Sequence, residues 1–342
     1  MSMVLVTGGS GYVGTRLIAA LLRDGHQVRA TVRSLASESD VRTAVRLGNA
    51  DDGGLELVAA DLTADEGWSA AAAGCEEIYL VATPIPAAQP GDPDELSVQA
   101  REGTLRALRA ARDAGARRVV LTSSFVAVGY TPKPGGEYTE ADWTDPDMPG
   151  LAPYSRSKVI AERAAWDFIE KEGGRTELVV VNRTFITGPT LTTHVRSTLP
   201  LIKAMLDGTM RVAPRQRVGV ADVRDVADLH IRAMATPEAA GKRYLALADG
   251  PTISFLEMAL ILRERLGALA ERVPTEEAPG EEPARLIIHK RPRQAGARLA
   301  TAARRNHDRG DRREPARSRT SGPSPIADPA GTRHLCVTSS AT

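Results

Sequence analysis

Thr7-Gly8-Gly9-Ser10-Gly11-Tyr12-Val13-Gly14 decides the fold of this chain through what stands on either side of it. Before it runs Met3–Thr7, short, apolar and β-branched. After it, in Tyr12–Arg23, the apolar residues Val13, Leu17, Ile18, Leu21 and Leu22 recur at helical spacing. A glycine cluster between strand and helix has a physical use beyond a plain turn. Gly8 permits the tight turn, Gly11 lets the backbone approach a pyrophosphate, and Gly14 allows the helix to pack closely on the strand. The helix N-terminus, with Tyr12 and Val13 in its first turn, offers free N–H groups and a favourable dipole to phosphate. The strand before and the helix after favour a dinucleotide site over a simple glycine turn.

Working outward, Gly25 stops the first helix and Gln27–Val32 reads as a second strand. Leu55–Ala60, Glu77–Val81, Arg118–Leu121 and Leu178–Val181 are further short apolar strands, with helical stretches near 94–114 and 151–172. Short apolar strands separated by helices imply a parallel sheet covered on both faces. The expected fold class is therefore α/β, a Rossmann-type doubly wound parallel sheet over residues 1–182. Beyond it the alternation fades, although Leu199–Leu206, Val223–Ala235 and Ser254–Leu266 keep helical patterns. Ser254 and Glu257 have capping-box spacing. Residues 183–283 are read as a smaller substrate lobe over the carboxyl ends of the strands, where an open α/β sheet places its ligand. From about 284, Pro, Arg, Gly and Ser dominate with no amphipathic face, so 284–342 is read as an irregular, disordered tail. The sharper alternative is a frameshift product: with permitted codons, His307–Arg317 read one base later gives a peptide of helical character.

The 342 residues carry 44 Lys+Arg and 43 Asp+Glu, but the balance is uneven. Residues 284–342 hold 13 basic and 4 acidic side chains, which leaves the rest at a net charge of −8. A mildly acidic body gives no reason to expect a nucleic-acid partner. Cys75 and Cys336 make neither a metal-type cluster nor a disulfide framework, so no metal and a reducing compartment are expected. No apolar run reaches the length of a membrane span, and the first strand begins too early to leave room for a signal peptide. The expectation is a cytoplasmic monomer or homodimer with a small-molecule substrate and no membrane partner.

The end of the second strand selects the cofactor. An acid there bonds the ribose 2′-OH of NAD, whereas an Arg accommodates the 2′-phosphate of NADP. The strand ends Thr31-Val32-Arg33-Ser34, without an acid. NADP is expected rather than NAD, with Arg33 as phosphate partner and Arg42 as a second candidate; the plainer reading of Arg33 is a solvated surface residue. Asp61-Leu62, after the third strand, is expected to flank the adenine. Ala82-Thr83, after the fourth, is expected to line the cofactor's path. Each is otherwise a strand-end turn. Thr122-Ser123-Ser124 ends the fifth strand on the ligand side, where a hydroxyl can hydrogen-bond a carbonyl oxygen; a Ser cap is the plainer reading. Tyr154 and Lys158, four residues apart, share one face of a helix. A fixed ammonium favours the phenolate and lowers a tyrosine pKa from about 10, which makes the pair a candidate acid/base.

Together these residues resemble the extended short-chain dehydrogenase/reductase family over about residues 3–270. Within it they are similar to the branch of dihydroflavonol reductases, cinnamoyl-CoA reductases and bacterial aldehyde or ketone reductases. Tyr154-Ser-Arg-Ser-Lys158-Val-Ile-Ala-Glu162, Arg29-Ala-Thr-Val-Arg33, Val81-Ala-Thr-Pro84 and Asp222-Val-Arg-Asp225 carry the likeness. The resemblance implies that Tyr154 protonates the carbonyl oxygen as general acid. It implies that Lys158 lowers the tyrosine pKa and holds the nicotinamide ribose. It implies that Ser124, with Ser123 as second choice, orients the carbonyl. Cofactor contacts at Thr122, Tyr154, Lys158 and Ile186 follow from the same likeness. Two positions depart from it. Ala100 stands where many relatives carry the Asn of a proton relay, and Arg183 follows Asn182 where the family usually has Pro beside the nicotinamide amide.

The function expected is NADP-dependent reduction of a small aldehyde or ketone, as a carbonyl reductase or alcohol dehydrogenase. The alternatives are a nucleotide-sugar epimerase or dehydratase with bound NAD, and a non-enzymatic dinucleotide-binding regulator. His26, His194 and His230 show no ligand spacing and are read as surface or loop residues. Asp225 is read as a helix cap.

Overall fold

The computed structural model describes residues 3–83, 93–194, 197–281, 283 and 286–290. The stretch from 291 onward, which holds nearly all of the expected tail, lies outside the described residues. Strands β1 (Met3–Val6), β2 (Gln27–Val32), β3 (Leu55–Ala59), β4 (Glu77–Leu80) and β5 (Arg118–Ser124) come first, followed by β6 (Glu137–Tyr138) and β7 (Glu177–Arg183). Short strands β8 (Phe185–Thr187), β9 (Arg217–Val218) and β10 (Val220–Asp222) precede β11 (Arg243–Ala246), β12 (Ile253–Ser254) and β13 (Ile287–Ile288). The helices are α1 (Tyr12–Arg23), α2 (Glu38–Leu47), α3 (Trp68–Ala72), α4 (Pro93–Asp113), α5 (Pro153–Glu172), α6 (Leu199–Leu206), α7 (Val223–Ala235) and α8 (Phe255–Leu266).

Seven strands form one parallel sheet in the order β11-β7-β5-β4-β1-β2-β3. The order reverses at β1, the point where such a sheet opens a crevice at its carboxyl edge. The strand side chains alternate between the two faces. Val4, Val6, Val120, Val179 and Val181 pack with α1, α2 and α7. Leu5, Val119, Leu121, Leu178 and Val180 pack with α3, α4 and α5. Burial on both faces explains why these strands read as continuous apolar runs. The expected doubly wound sheet is present.

One buried cation in this core is fully engaged. Arg118, fully buried, donates to Glu177 (2.8 Å) and to the carbonyls of Ala233 (3.0 Å) and Met234 (2.9 Å), so a cation closes the C-terminal end of α7. At the other end of α7, Asp222 is the cap, accepting from the Arg224 N–H at 2.8 Å. Asp225, the expected cap, lies in the first turn instead. A separate apolar cluster joins Phe185, Met205, Phe255, Met258 and Leu262, and Ser254 and Glu257 complete the capping box of α8. Ile287–Ile288, inside the stretch read as irregular, pairs with Glu137–Tyr138. No helix among the described residues is long and apolar enough to cross a membrane.

His230 corrects the expectation of a surface histidine, because it is wholly buried on α7. Its Nδ1 lies 2.7 Å from the Val226 carbonyl and its Nε2 lies 2.7 Å from Thr122 Oγ1. A carbonyl only accepts, so Nδ1 carries the proton and Nε2 accepts from the threonine. Burial pushes the imidazole pKa down to about 4. The unfolded chain takes up a proton near pH 6.5, its reference value of about 6.5, while the folded chain refuses it. Stability should therefore fall as pH drops from about 6.5 toward 4, by about 3 kcal/mol from this group. His230→Gln removes the titration. Urea unfolding of both proteins across this window should show the variant gaining on its parent by about that amount.

Candidate active site

The first loop is a cradle that side chains would fill. Gly8 has φ +72°, the left-handed region, and its N–H donates to Thr31 Oγ1 at 3.1 Å. Gly9 N–H donates to the Thr31 carbonyl at 2.7 Å and Gly11 N–H to the Gly8 carbonyl at 2.9 Å. A Cβ on Gly14 would stand 2.3 Å from the Gly8 oxygen. The loop therefore folds back on the first turn of α1, and no side chain caps that helix. Thr7 Oγ1 accepts from the N–H groups of Val81 and Ala82, each at 2.9 Å, which clips the ends of β1 and β4 together. A bare backbone surface at a helix N-terminus fits a pyrophosphate.

A cleft of about 690 Å³ runs from this loop along the carboxyl edge of the sheet. Of the residues expected from sequence, it brings together Gly8, Gly11, Tyr12, Val13, Gly14, Arg33, Asp61, Leu62, Ala82, Thr83, Thr122 and Lys158. Tyr154, Ser124 and Ile186 do not line it, and Ile186 has no exposed surface. Arg33 is exposed and makes no ion pair among the described residues. Arg42 is committed elsewhere, to Glu38 (2.8 Å) and to the carbonyls of Asp52 (3.0 Å) and Leu55 (3.1 Å). Asp61 accepts from the N–H and hydroxyl of Thr63, each at 2.9 Å. Gln99, Trp68, Arg183, Ser197 and Pro200 also line the cleft. Arg183 is the position that departs from the family pattern beside the nicotinamide amide; the other four come from segments whose sequence carries no ligand motif.

Tyr154 stands in the first turn of α5, beside the carboxyl ends of β5 and β7, whose last residues Ser124 and Arg183 pair in register. Its phenol accepts from Arg183 Nη2 at 3.3 Å, and the Ser124 hydroxyl is near enough to help lower its pKa. One turn on, Lys158 is buried, donates to Thr83 Oγ1 at 2.8 Å, and sits 5.9 Å from the centre of the Tyr154 ring. Tyr154 keeps 37% of its surface exposed; lost hydration around its hydroxyl pushes the pKa up, but the Arg183 guanidinium and the Lys158 ammonium outweigh it and hold the phenol below its ordinary value. Burial, with Arg183 adding repulsion, also holds the Lys158 pKa down. The neighbouring Ser123 gives its hydroxyl to Glu162. Ala100 is buried in α4 and has no polar atom to relay a proton. Among the described residues no group of acidic, His and Cys side chains is placed to hold a metal.

A family model described as the NAD dependent epimerase/dehydratase family matches residues 4–246. The chain belongs to this family. It is 34% identical to cinnamoyl-CoA reductase 1 of Petunia hybrida over 247 residues, covering 71% of this chain and 72% of that protein. It is 30% identical to an anthocyanidin reductase of Vitis vinifera over 299 residues, covering 83% and 86%. The crystal structure of yeast methylglyoxal/isovaleraldehyde reductase Gre2 complexed with NADPH superimposes with a TM-score of 0.69 at 23% identity, covering 84% and 90%. That likeness is one of fold.

The cradle yields a test of family membership at the level of atoms. Gly14→Ala drives a methyl into the Gly8 carbonyl, an overpacking that costs about 1–3 kcal/mol. A fluorescence titration should show dinucleotide binding weakened by roughly tenfold or more, and the denaturation midpoint should fall. Gly53→Ala, whose methyl would meet its nearest atom at an ordinary 3.6 Å, should change neither.

Proposed function

We propose that this protein is an NADP-dependent oxidoreductase that reduces the carbonyl of a small aldehyde or ketone, with Tyr154 as general acid. The observation that carries the reading is the Tyr154 phenol, which accepts from Arg183 and has the Lys158 ammonium one turn along the same helix, beside the cleft. The named relatives are reductases of cinnamoyl-CoA and anthocyanidin, and this chain is an oxidoreductase of the same family.

Gly8, Gly11 and Gly14 with the first turn of α1 hold the pyrophosphate, and Asp61 and Leu62 flank the adenine. Arg33, exposed and without a carboxylate partner, takes the 2′-phosphate. Thr83 and Lys158, already hydrogen-bonded to each other, hold the nicotinamide ribose. When bound, NADPH supplies the hydride. Ser124 donates a hydrogen bond to the substrate carbonyl and fixes its oxygen next to the phenol. Tyr154 then delivers its proton to that oxygen as charge develops there. Lys158 and Arg183 stabilise the phenolate that remains, so the proton is given up more readily than from a free tyrosine.

Tyr154→Phe removes the acid and little else. NADPH oxidation with a panel of aldehydes and ketones should fall by a factor on the order of 10² to 10⁴, with NADPH binding kept. A rate equal to the parent's overturns the assignment. Arg33→Ala removes one charge-assisted contact, so the KM for NADPH should rise roughly 10- to 100-fold while that for NADH stays put. Equal changes for the two cofactors would leave Arg33 a surface residue.

A further inference from the structure

Among the described residues none pairs with the charge of Arg183, whose hydrogen bond is the one to Tyr154 at 3.3 Å. The buried carboxylate on the same helix as Tyr154 is already used, since Glu162 accepts from Arg243, Asn182 and Ser123. The place where a carbonyl would meet Tyr154 is therefore bordered by two cations, Lys158 and Arg183, with no free anion beside them among the described residues. Tyr130, close enough to feel the same phenol, is kept uncharged by burial.

The cofactor's own phosphates are not the missing anion. β7, which ends in Arg183, is three strands away from β1 in the sheet order. At about 4.8 Å per strand this is roughly 14 Å from the glycine cradle. β2, which ends beside Arg33, is one strand further still. A guanidinium presents five N–H donors in a fork that matches a carboxylate in two-point fashion, and here most of that fork is free. A hydroxyl or an amide would meet one donor and leave the charge uncompensated; a carboxylate meets both.

We infer that the substrate is a 2-oxo acid, and that Arg183 receives its carboxylate while Tyr154 protonates the adjacent keto oxygen. The inference rests on the reductase reading above. In a 2-oxo acid one carboxylate oxygen lies about one hydrogen-bond length from the keto oxygen, which is the relation between Arg183 Nη2 and the Tyr154 hydroxyl. The keto carbon takes a hydride from NADPH as the C=O π bond opens. The oxygen takes the Tyr154 proton, giving a 2-hydroxy acid and NADP⁺, and solvent reprotonates the phenolate. Arg183 thus sets specificity by charge and register.

The test compares phenylglyoxylate with its methyl ester, and 2-oxobutyrate with its methyl ester, beside a panel of uncharged aldehydes. NADPH oxidation is followed for the parent, Arg183→Gln and Arg183→Lys. In the parent, kcat/KM for each acid should exceed that for its ester by roughly tenfold or more, the scale of one desolvated charge-assisted contact. The acid-to-ester ratio should fall to about one or below in Arg183→Gln and be partly kept in Arg183→Lys, whatever happens to the overall rate. Thermal melts confirm that both variants fold. Turnover of esters or aldehydes without preference for the acid overturns the inference and leaves the reductase reading intact; so does a ratio that survives in Arg183→Gln. If no carbonyl compound is reduced above the Tyr154→Phe background, the reductase reading falls and takes the inference with it.

Discussion

The Glu162 carboxylate has no exposed surface, and donors from three different strands converge on it. Ser123 donates from β5, Asn182 from β7 at 2.6 Å, and Arg243 from β11 at 2.7 Å. Arg243 is held in turn by the carbonyls of Glu140 (2.9 Å) and Asp142 (2.6 Å) and stacks on the Trp143 ring at 3.8 Å. Burying a charge is tolerable only where pairing and hydrogen bonds replace water, and this geometry supplies both. The consequence lies one and two turns away on the same helix. Lys158 and Tyr154 precede Glu162 by four and eight residues and share its face of α5. Pinning Glu162 to three strands therefore fixes the height and rotation at which the ammonium and the phenol meet the sheet edge. The buried pair contributes position more than net stability, since removing both charges together is often neutral.

Two opposing effects meet at Tyr154. Its surroundings disfavour the phenolate, while the cations at Arg183 and Lys158 favour it, and the cations win. Lys158 feels the reverse: burial and Arg183 disfavour its charge, while Tyr154 and Glu162 support it. The groups are thus tuned against one another by the charges each places beside the next. Arg183 belongs to this balance because Ser124 and Arg183 end neighbouring strands in register.

Much of the fold was legible because its signals are local. The strands buried on both faces announced themselves as apolar runs, and α1, α5, α7 and α8 showed their spacing or caps. The elements that escaped are short or atypical. β11 has four residues and opens with an arginine whose place in the core depends on Glu162, 81 positions earlier. α2 is mostly polar, with only Val41, Ala44 and Val45 buried. α3 has five residues behind a left-handed Gly67. β13 is two residues long and exists only as a partner of β6. In and beside the cleft, the glycine cradle, Arg33 and the Tyr154/Lys158 spacing could be read because each lies within one turn or one strand end. Gln99, Trp68, Ser197 and Pro200 arrive from separate segments that become neighbours only when the sheet forms.

The sequence by itself determined the parallel α/β sheet, the dinucleotide cradle and the tyrosine–lysine pair, since these depend on backbone periodicity and steric demands within a few residues. The tertiary structure alone decided where the Ser123 hydroxyl goes, sending it to Glu162. It also turned His230 from an apparent surface residue into a buried partner of Thr122, and brought Arg183, a departure from the family pattern, to the tyrosine's hydroxyl. These outcomes depend on pairings between residues 29 to 108 positions apart. Such pairings come from strand register and helix docking, which no local pattern of residues encodes.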